Sequence, residues 1–414
     1  MEDQITTRDR ETLRELAKRQ AEIAALPVMA ERARLWTAHN DLRGERPMVF
    51  FEGNTVEDKG FVPVATCETE LGRRMELQLK WAMLNHELIG DDRVVTAEFL
   101  CPWRYEITAF GLLVTRVHSS DGGIGFHIKE QIQDLSEDMD KLRPSILSFY
   151  REDSLRYAET AREVLGDILQ VRMSTALNAS LTQDVVNIMG MENMFIAMME
   201  TPDEFHTLMS LLTDGYLALF DELEKRQMLS LNHANDWVCQ GTFGYTEQLP
   251  EKTENIRISD LWGYADSQET VGVSPEMFGE FIFPYYKKVT ERYGLTVYGC
   301  CEPVHPFWDK YISTLSNLRK VSISPWCDEE FIGERLRGKP VIYQRKPSPN
   351  FVGVGKTLDE DAFRQYIDHT IDCAQGCRLE FTFRDVYTLE GELGKPRRAV
   401  EIVREEIENR WKGY

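Results

Sequence analysis

From residue 152 onward the chain alternates, without an internal sequence repeat, between segments with apolar residues at helical spacing and short runs that read as strands. Leu155 to Leu165 reads as a helix and Ile168 to Met173 as a strand. A long helical stretch from Met191 through Lys225 then leads to a strand at Met228 to Asn232. Ser274 caps the next helix, Pro275 occupies its first position, and Gly294 stops it after Tyr293. A strand at Leu295 to Cys300, a helix near Pro306 to Leu315 and a strand at Leu318 to Ile323 follow. Ile342 and Tyr343 sit in a further strand, Asp359 to Ala374 in a helix and Leu379 to Phe383 in a last strand. This alternation predicts an α/β fold with parallel strands, and the number of repeats favours a closed (β/α)8 TIM barrel over an open sheet.

Upstream, residues 7 to 40 read as helical with a break at Pro27, an N-terminal helical extension of residues 1–45 packed outside a barrel of residues 46–414. Pro47 to Phe51 looks like the first strand, Glu70 to Ile89 a helix stopped by Gly90-Asp91-Asp92, and Val94 to Leu100 another strand. Ser119 to Gly125 is a glycine-rich loop.

Charge narrows the partners. A net charge of −21 over 414 residues repels nucleic acid and anionic membrane surfaces, leaving a small molecule or a protein. The start of the chain is charged, no apolar run reaches the length of a membrane span, and the eight cysteines are scattered without a disulfide framework. A cytoplasmic enzyme with reduced thiols is expected. No Gly-x-Gly-x-x-Gly follows a strand and no phosphate loop is present, which disfavours nicotinamide redox chemistry and ATP hydrolysis.

The densest chemistry lies in Val297-Tyr298-Gly299-Cys300-Cys301-Glu302-Pro303-Val304. Alternation along a strand puts Tyr298, Cys300 and Glu302 on one face and Cys301 on the other. Thiolate and carboxylate together can hold a divalent metal, and a barrel keeps its chemistry at the ends of its strands. Against this, either cysteine alone would serve as a small core filler. His233 and Asp236, within Asn232 to Trp237, offer a general acid or base, or else a turn capped by its own side chains. Arg384 and Asp385 close the last strand, where an arginine fork can grip a carboxylate or form a structural ion pair; Gln344, Arg345 and Lys346 end the preceding strand in the same way. Trp237, Trp262, Tyr264, Tyr298, Trp326 and Tyr343, all near strand ends, could line a pocket for a flat substrate or simply fill the core.

Several segments in a shared order carry a resemblance: Asn187-Ile188-Met189-Gly190-Met191-Glu192, then Thr201-Pro202-Asp203-Glu204-Phe205, then Asp266-Ser267-Gln268 ahead of Ser274-Pro275-Glu276-Met277-Phe278, then Tyr298-Gly299-Cys300-Cys301-Glu302. From about Pro47 to Val403 the chain resembles the uroporphyrinogen decarboxylase-like superfamily. The resemblance implies a (β/α)8 barrel that often pairs as a homodimer, and either a decarboxylase or a zinc-dependent methyltransferase working with a corrinoid. The methyltransferases hold zinc through a His-x-Cys strand motif and a later cysteine. Tyr298-Gly299-Cys300 stands at the first motif without its histidine, and the second position falls on Cys377 or on Arg384-Asp385. The implied metal set is Cys300 and Glu302 with Cys377 or Asp385. The arginine-rich signature that grips tetrapyrrole propionates is missing around Arg43 to Met48.

The leading expectation is therefore a methyltransferase, a demethylase of a small methyl ether or amine, that passes the methyl group to a corrinoid on a partner protein. His233, Tyr298 or Glu302 would protonate the leaving heteroatom, and Trp237, Trp262, Tyr264, Trp326, Tyr343 and Arg345 would bind substrate. The alternative is a metal-independent decarboxylase, with Arg384 and Arg345 gripping carboxylates and Asp236 or Asp385 donating a proton.

Overall fold

The computed structural model describes residues 5–118 and 126–414, so the loop expected at 119–125 falls outside it. Seven strands form one parallel sheet in the order Met48–Phe51, Arg378–Phe383, Ile342–Arg345, Leu318–Ile323, Leu295–Tyr298, Trp262–Ala265, Asn178–Ala179. Helices between successive strands cover the sheet, and Met48–Phe51, Leu318–Ile323 and Ile342–Arg345 are buried at every position. Burial on both faces extends to polar positions, since Lys320, Ser322, Gln344 and Arg345 are buried along with the apolar residues of these strands.

The α/β class and the parallel direction agree with the sequence, but the ladder among the described residues does not close into a barrel. Its end strands, Met48–Phe51 and Asn178–Ala179, do not pair. Glu98–Pro102 and Gln170–Ser174 form a separate parallel pair that leads into the second of those ends. At the first end, Asp92 and Asp91 accept the backbone N–H groups of Val49 and Phe51, both at 2.8 Å. The strand expected at Met228 to Asn232 is absent. The Asn232 side-chain amide instead pairs with the Trp262 backbone, accepting its N–H and donating to its C=O at 2.9 Å each, and so takes the place of a neighbouring strand.

Two helices, Thr7–Ala24 and Pro27–Asn40, occupy the expected N-terminal stretch; Thr6 caps the first and Pro27 opens the second. They do not lie wholly outside the sheet, because Trp36, His39 and Asn40 are fully buried. His39 Nε2 lies 3.0 Å from the Glu380 carboxylate, which also accepts from Lys320 Nζ at 2.7 Å and Gln344 Nε2 at 2.7 Å.

Phe50, Gln344 and Thr382 face a hairpin formed by Trp237–Cys239 and Thr242–Phe243. Gln344 donates to Thr242 Oγ1 at 2.9 Å, and the Phe50 ring packs on Trp237 and Phe243. The hairpin tip, Gln240-Gly241, has positive φ at both residues, +53° and +77°. That matches the two-residue turn whose twist suits a hairpin, and a Cβ at Gly241 would come within 2.1 Å of Thr382. Among the described residues no helix is long and apolar enough to cross a membrane.

Candidate functional site

Four strands deliver a charged residue at the position immediately after their last residue: Glu52 after Phe51, Asp266 after Ala265, Lys346 after Arg345 and Arg384 after Phe383. A parallel sheet puts these positions at one end, where they meet the segment Gly299–Glu302 and the hairpin tip. Glu302 is buried and holds the segment in shape. Its Oε2 accepts the Cys300 N–H at 2.8 Å and its Oε1 accepts the Ser267 N–H at 3.0 Å. Burial raises its pKa to about 8, and the neighbouring Asp266 and Cys300 add to the rise despite the two N–H donors. Asp266 is also raised by burial, accepts from Ser180 Oγ and lies beside the Tyr264 hydroxyl. Each charge disfavours ionisation of the other group, in the same direction as burial.

The thiols are differentiated. Cys300 and Cys301 sulfurs lie 3.6 Å apart, and Cys301 Sγ is 3.3 Å from Asp385 Oδ2. The contact with the Cys301 thiol lowers the Cys300 pKa to about 7 against the effect of burial, with help from Lys346, while Cys301 is pushed up. Lys346 Nζ donates to Gln240 Oε1 at 2.7 Å and to Cys300 O at 3.2 Å. Arg384 Nε stands 3.4 Å from Asp385 and 3.7 Å from Glu52, and its Nε and Nη1 have no hydrogen-bond partner among the described residues. Asp385 adopts φ +59°, a strained conformation for a non-glycine residue and one found preferentially at functional positions. Cys239, on the hairpin, faces the same group; burial raises its pKa to about 12.

The structure thus brings Cys300, Glu302, Arg384 and Asp385 together, and places Tyr298 beneath them with its hydroxyl 2.8 Å from Ser267 Oγ. Other expectations need correction. Cys377 precedes strand Arg378–Phe383, whose far end carries Arg384 and Asp385; at ~3.3 Å per residue it sits about 20 Å from them, and its thiol donates to Gly333 O. The set Cys300, Glu302 and Cys377 is therefore not assembled, and no three His, Cys, Asp or Glu residues among those described are grouped to hold a metal. The residues do not fit the zinc site that the resemblance implies.

Arg345 points away from the site. Its guanidinium donates to Ile323 O and Ser324 O and pairs with Glu329 and Tyr366 at 2.5 Å each, so it has no fork left for substrate. Tyr343 shares that outer face, 3.4 Å from Glu329. Trp262 donates its indole N–H to Gly244 O at 2.8 Å within the core, and Trp326 is 65% exposed. Asp236 is gripped by Arg172 at 2.9 Å on each oxygen, and Arg172 also holds Glu98, which makes an ion-paired strut. His233 is half-buried, its pKa lowered by burial, and contacts none of the cluster. Trp237 lines a cavity of about 400 Å³ with Asp236, Trp103 and Tyr105, and another with Glu52. Glu52 and Cys239 carry no motif in the sequence, and Asp266 enters there only through the resemblance, although the position after a buried strand points to both Glu52 and Asp266.

No protein-family model matches the chain, and no curated protein matches it in sequence. Among solved structures it is similar to a methyltransferase from Methanosarcina mazei, at 12% identity and a TM-score of 0.50, over 89% of this chain and 96% of that one. The likeness is one of fold.

Proposed function

We propose that the protein is a methyltransferase that removes a methyl group from a small methyl ether or amine and passes it to a corrinoid on a partner protein. The observation that carries this reading is the buried carboxyl pair, Glu302 and Asp266, set beside Cys300 and Lys346 at the ends of neighbouring strands. A methyl group leaves a heteroatom readily only if that atom is protonated as the bond breaks. Glu302 keeps its proton at neutral pH and sits where a water-excluded cluster makes the transfer effective, so we assign it as the proton donor. Asp266 holds that proton on the pair by its own charge. Lys346 fixes the Cys300 carbonyl and the hairpin tip, which shapes the wall of the site. The corrinoid, when bound, supplies the nucleophile toward the methyl carbon. The shared fold of the methanogen methyltransferase supports the reading at the level of architecture.

A second reading, a metal-independent decarboxylase, is favoured by Arg384, whose Nε and Nη1 make no hydrogen bond among the described residues and could grip a carboxylate in competition with Asp385 and Glu52. Anaerobic incubation with free cob(I)alamin and a panel of methyl ethers and methylamines separates the two. Conversion of the cob(I)alamin spectrum to that of methylcobalamin supports methyl transfer, whereas carbon dioxide release from carboxylated compounds without that conversion supports the lyase.

A further inference from the structure

We propose that Arg93 marks a carboxylate subsite, so that the substrate is a small methylated organic acid held between the Trp81 and Trp237 rings. The methyl group in this description rests on the methyl-transfer reading above; the carboxylate does not.

Arg93 differs from the arginines around it. Arg46 and Arg404 share Asp92, and Arg172 joins Glu98 to Asp236. The Arg93 guanidinium enters no ion pair among the described residues, and its buried Nε has no acceptor there. Asp91, the carboxylate next to it, is occupied by the N–H groups of Phe51 and Arg93 and by the Asn85 amide. What holds the guanidinium is aromatic: its carbon lies 4.8 Å from the Phe243 ring centre and 5.9 Å from that of Phe50. Arg93 is half-buried on the wall of a cavity, and a planar fork without a carboxylate partner matches a ligand carboxylate in two parallel hydrogen bonds.

Two cavities, of about 290 and 330 Å³, meet at Trp81, Arg93 and Trp237. The first also reaches Asn54, Asn85 and Glu52, and Glu52 in turn faces Arg384 at 3.7 Å. A ligand anchored at Arg93 therefore has its other end directed toward the strand-end cluster. Arg384 counters the charge of Glu52, which leaves the Arg93 end of the cavity favourable to an anion.

Calorimetric titration of the full chain with methoxyacetate and N,N-dimethylglycine, each beside its uncharged amide, tests the subsite. At least one acid should bind, with its amide roughly 10- to 100-fold weaker, as expected for a lost charge-assisted fork. Arg93→Gln should abolish the preference for acid over amide, and should cost the ligand-free protein only the contacts with the Phe243 and Phe50 rings, because no ion pair is lost. Arg93→Lys, which keeps the charge, should bind the acid at intermediate strength and stands in if the glutamine variant misfolds. Equal binding of acid and amide, acid binding that survives both substitutions, or no binding of either acid overturns the subsite. Acid binding with no methyl transfer to cob(I)alamin would leave the subsite standing and remove the methyltransferase reading; transfer from neutral ethers with no acid binding would do the reverse.

Discussion

Glu302 accepts the Ser267 backbone N–H at 3.0 Å, so a side chain rooted after one strand locks the end of the strand beside it. Its second oxygen accepts the Cys300 N–H at 2.8 Å. Both contacts require a carboxyl group, since either orientation of an amide would aim an NH2 at an N–H.

Glu302→Gln should accordingly lose about 1–3 kcal/mol of stability through one unsatisfied buried donor. It should also slow methyl transfer by a factor on the order of 10² to 10⁴ if Glu302 is the proton donor. Urea unfolding reads the first effect and the cob(I)alamin assay the second. Wild-type turnover in a folded variant would remove Glu302 from the chemistry.

Cys300 should titrate near pH 7, visible as thiolate absorbance that is absent from Cys300→Ser. Its folded pKa lies below the unfolded value of 9.0, so the thiolate stabilises the fold fully above pH 9, and this contribution is lost as pH falls through about 7. The gap corresponds to at most roughly 2–3 kcal/mol. Glu302, raised to about 8, works in the opposite sense, its contribution being lost as pH rises through that value. The difference in unfolding free energy between wild type and Cys300→Ser isolates the thiol and should grow from pH 7 to pH 9. Cys301→Ala should move the Cys300 titration upward, because it removes the largest cause of the depression.

Arg345 and Arg384, one after each of two adjacent strand ends in the sequence pattern, should separate cleanly. Arg345→Lys breaks the fork to Glu329 and the two carbonyls, and should lower the denaturation midpoint while sparing turnover per folded molecule. Arg384→Lys should leave the midpoint near wild type and reduce turnover. Identical behaviour of the two variants would contradict the faces assigned to them.

Lys320→Met should cost about 3–5 kcal/mol, because it strands the buried Glu380 carboxylate. Burial alone would raise the Glu380 pKa, but Lys320 and His39 outweigh it and hold it at about 2. Adding Glu380→Gln to Lys320→Met should recover most of the loss, as measured by guanidinium denaturation. A double variant no more stable than the single one would mean that Glu380 is held chiefly by His39 and Gln344.

The fold class was legible because helices such as 360–373 and strands such as 318–323 carry strong local patterns, and their alternation leaves few architectures open. The closed barrel was not, since one expected strand is replaced by the Asn232 amide and two parallel strands pair only with each other. The cluster around Cys300 and Glu302 was found from its residue types. The choice of Arg345 over Lys346 failed for a physical reason: strand 342–345 is buried on both faces, so hydrophobicity cannot reveal which side faces the hairpin. Cys377 was misplaced because proximity to a strand does not say which end of it a residue occupies.

Asp91 and Asp92 have a consequence beyond local structure. Unpaired N–H groups along a terminal strand are a template onto which another chain can add, the first step of domain exchange and fibril growth. Here the two aspartates occupy that template with buried negative charge, and Arg46 and Arg404 hold Asp92 in place. Replacing both aspartates should free those N–H groups and promote self-association through the first strand.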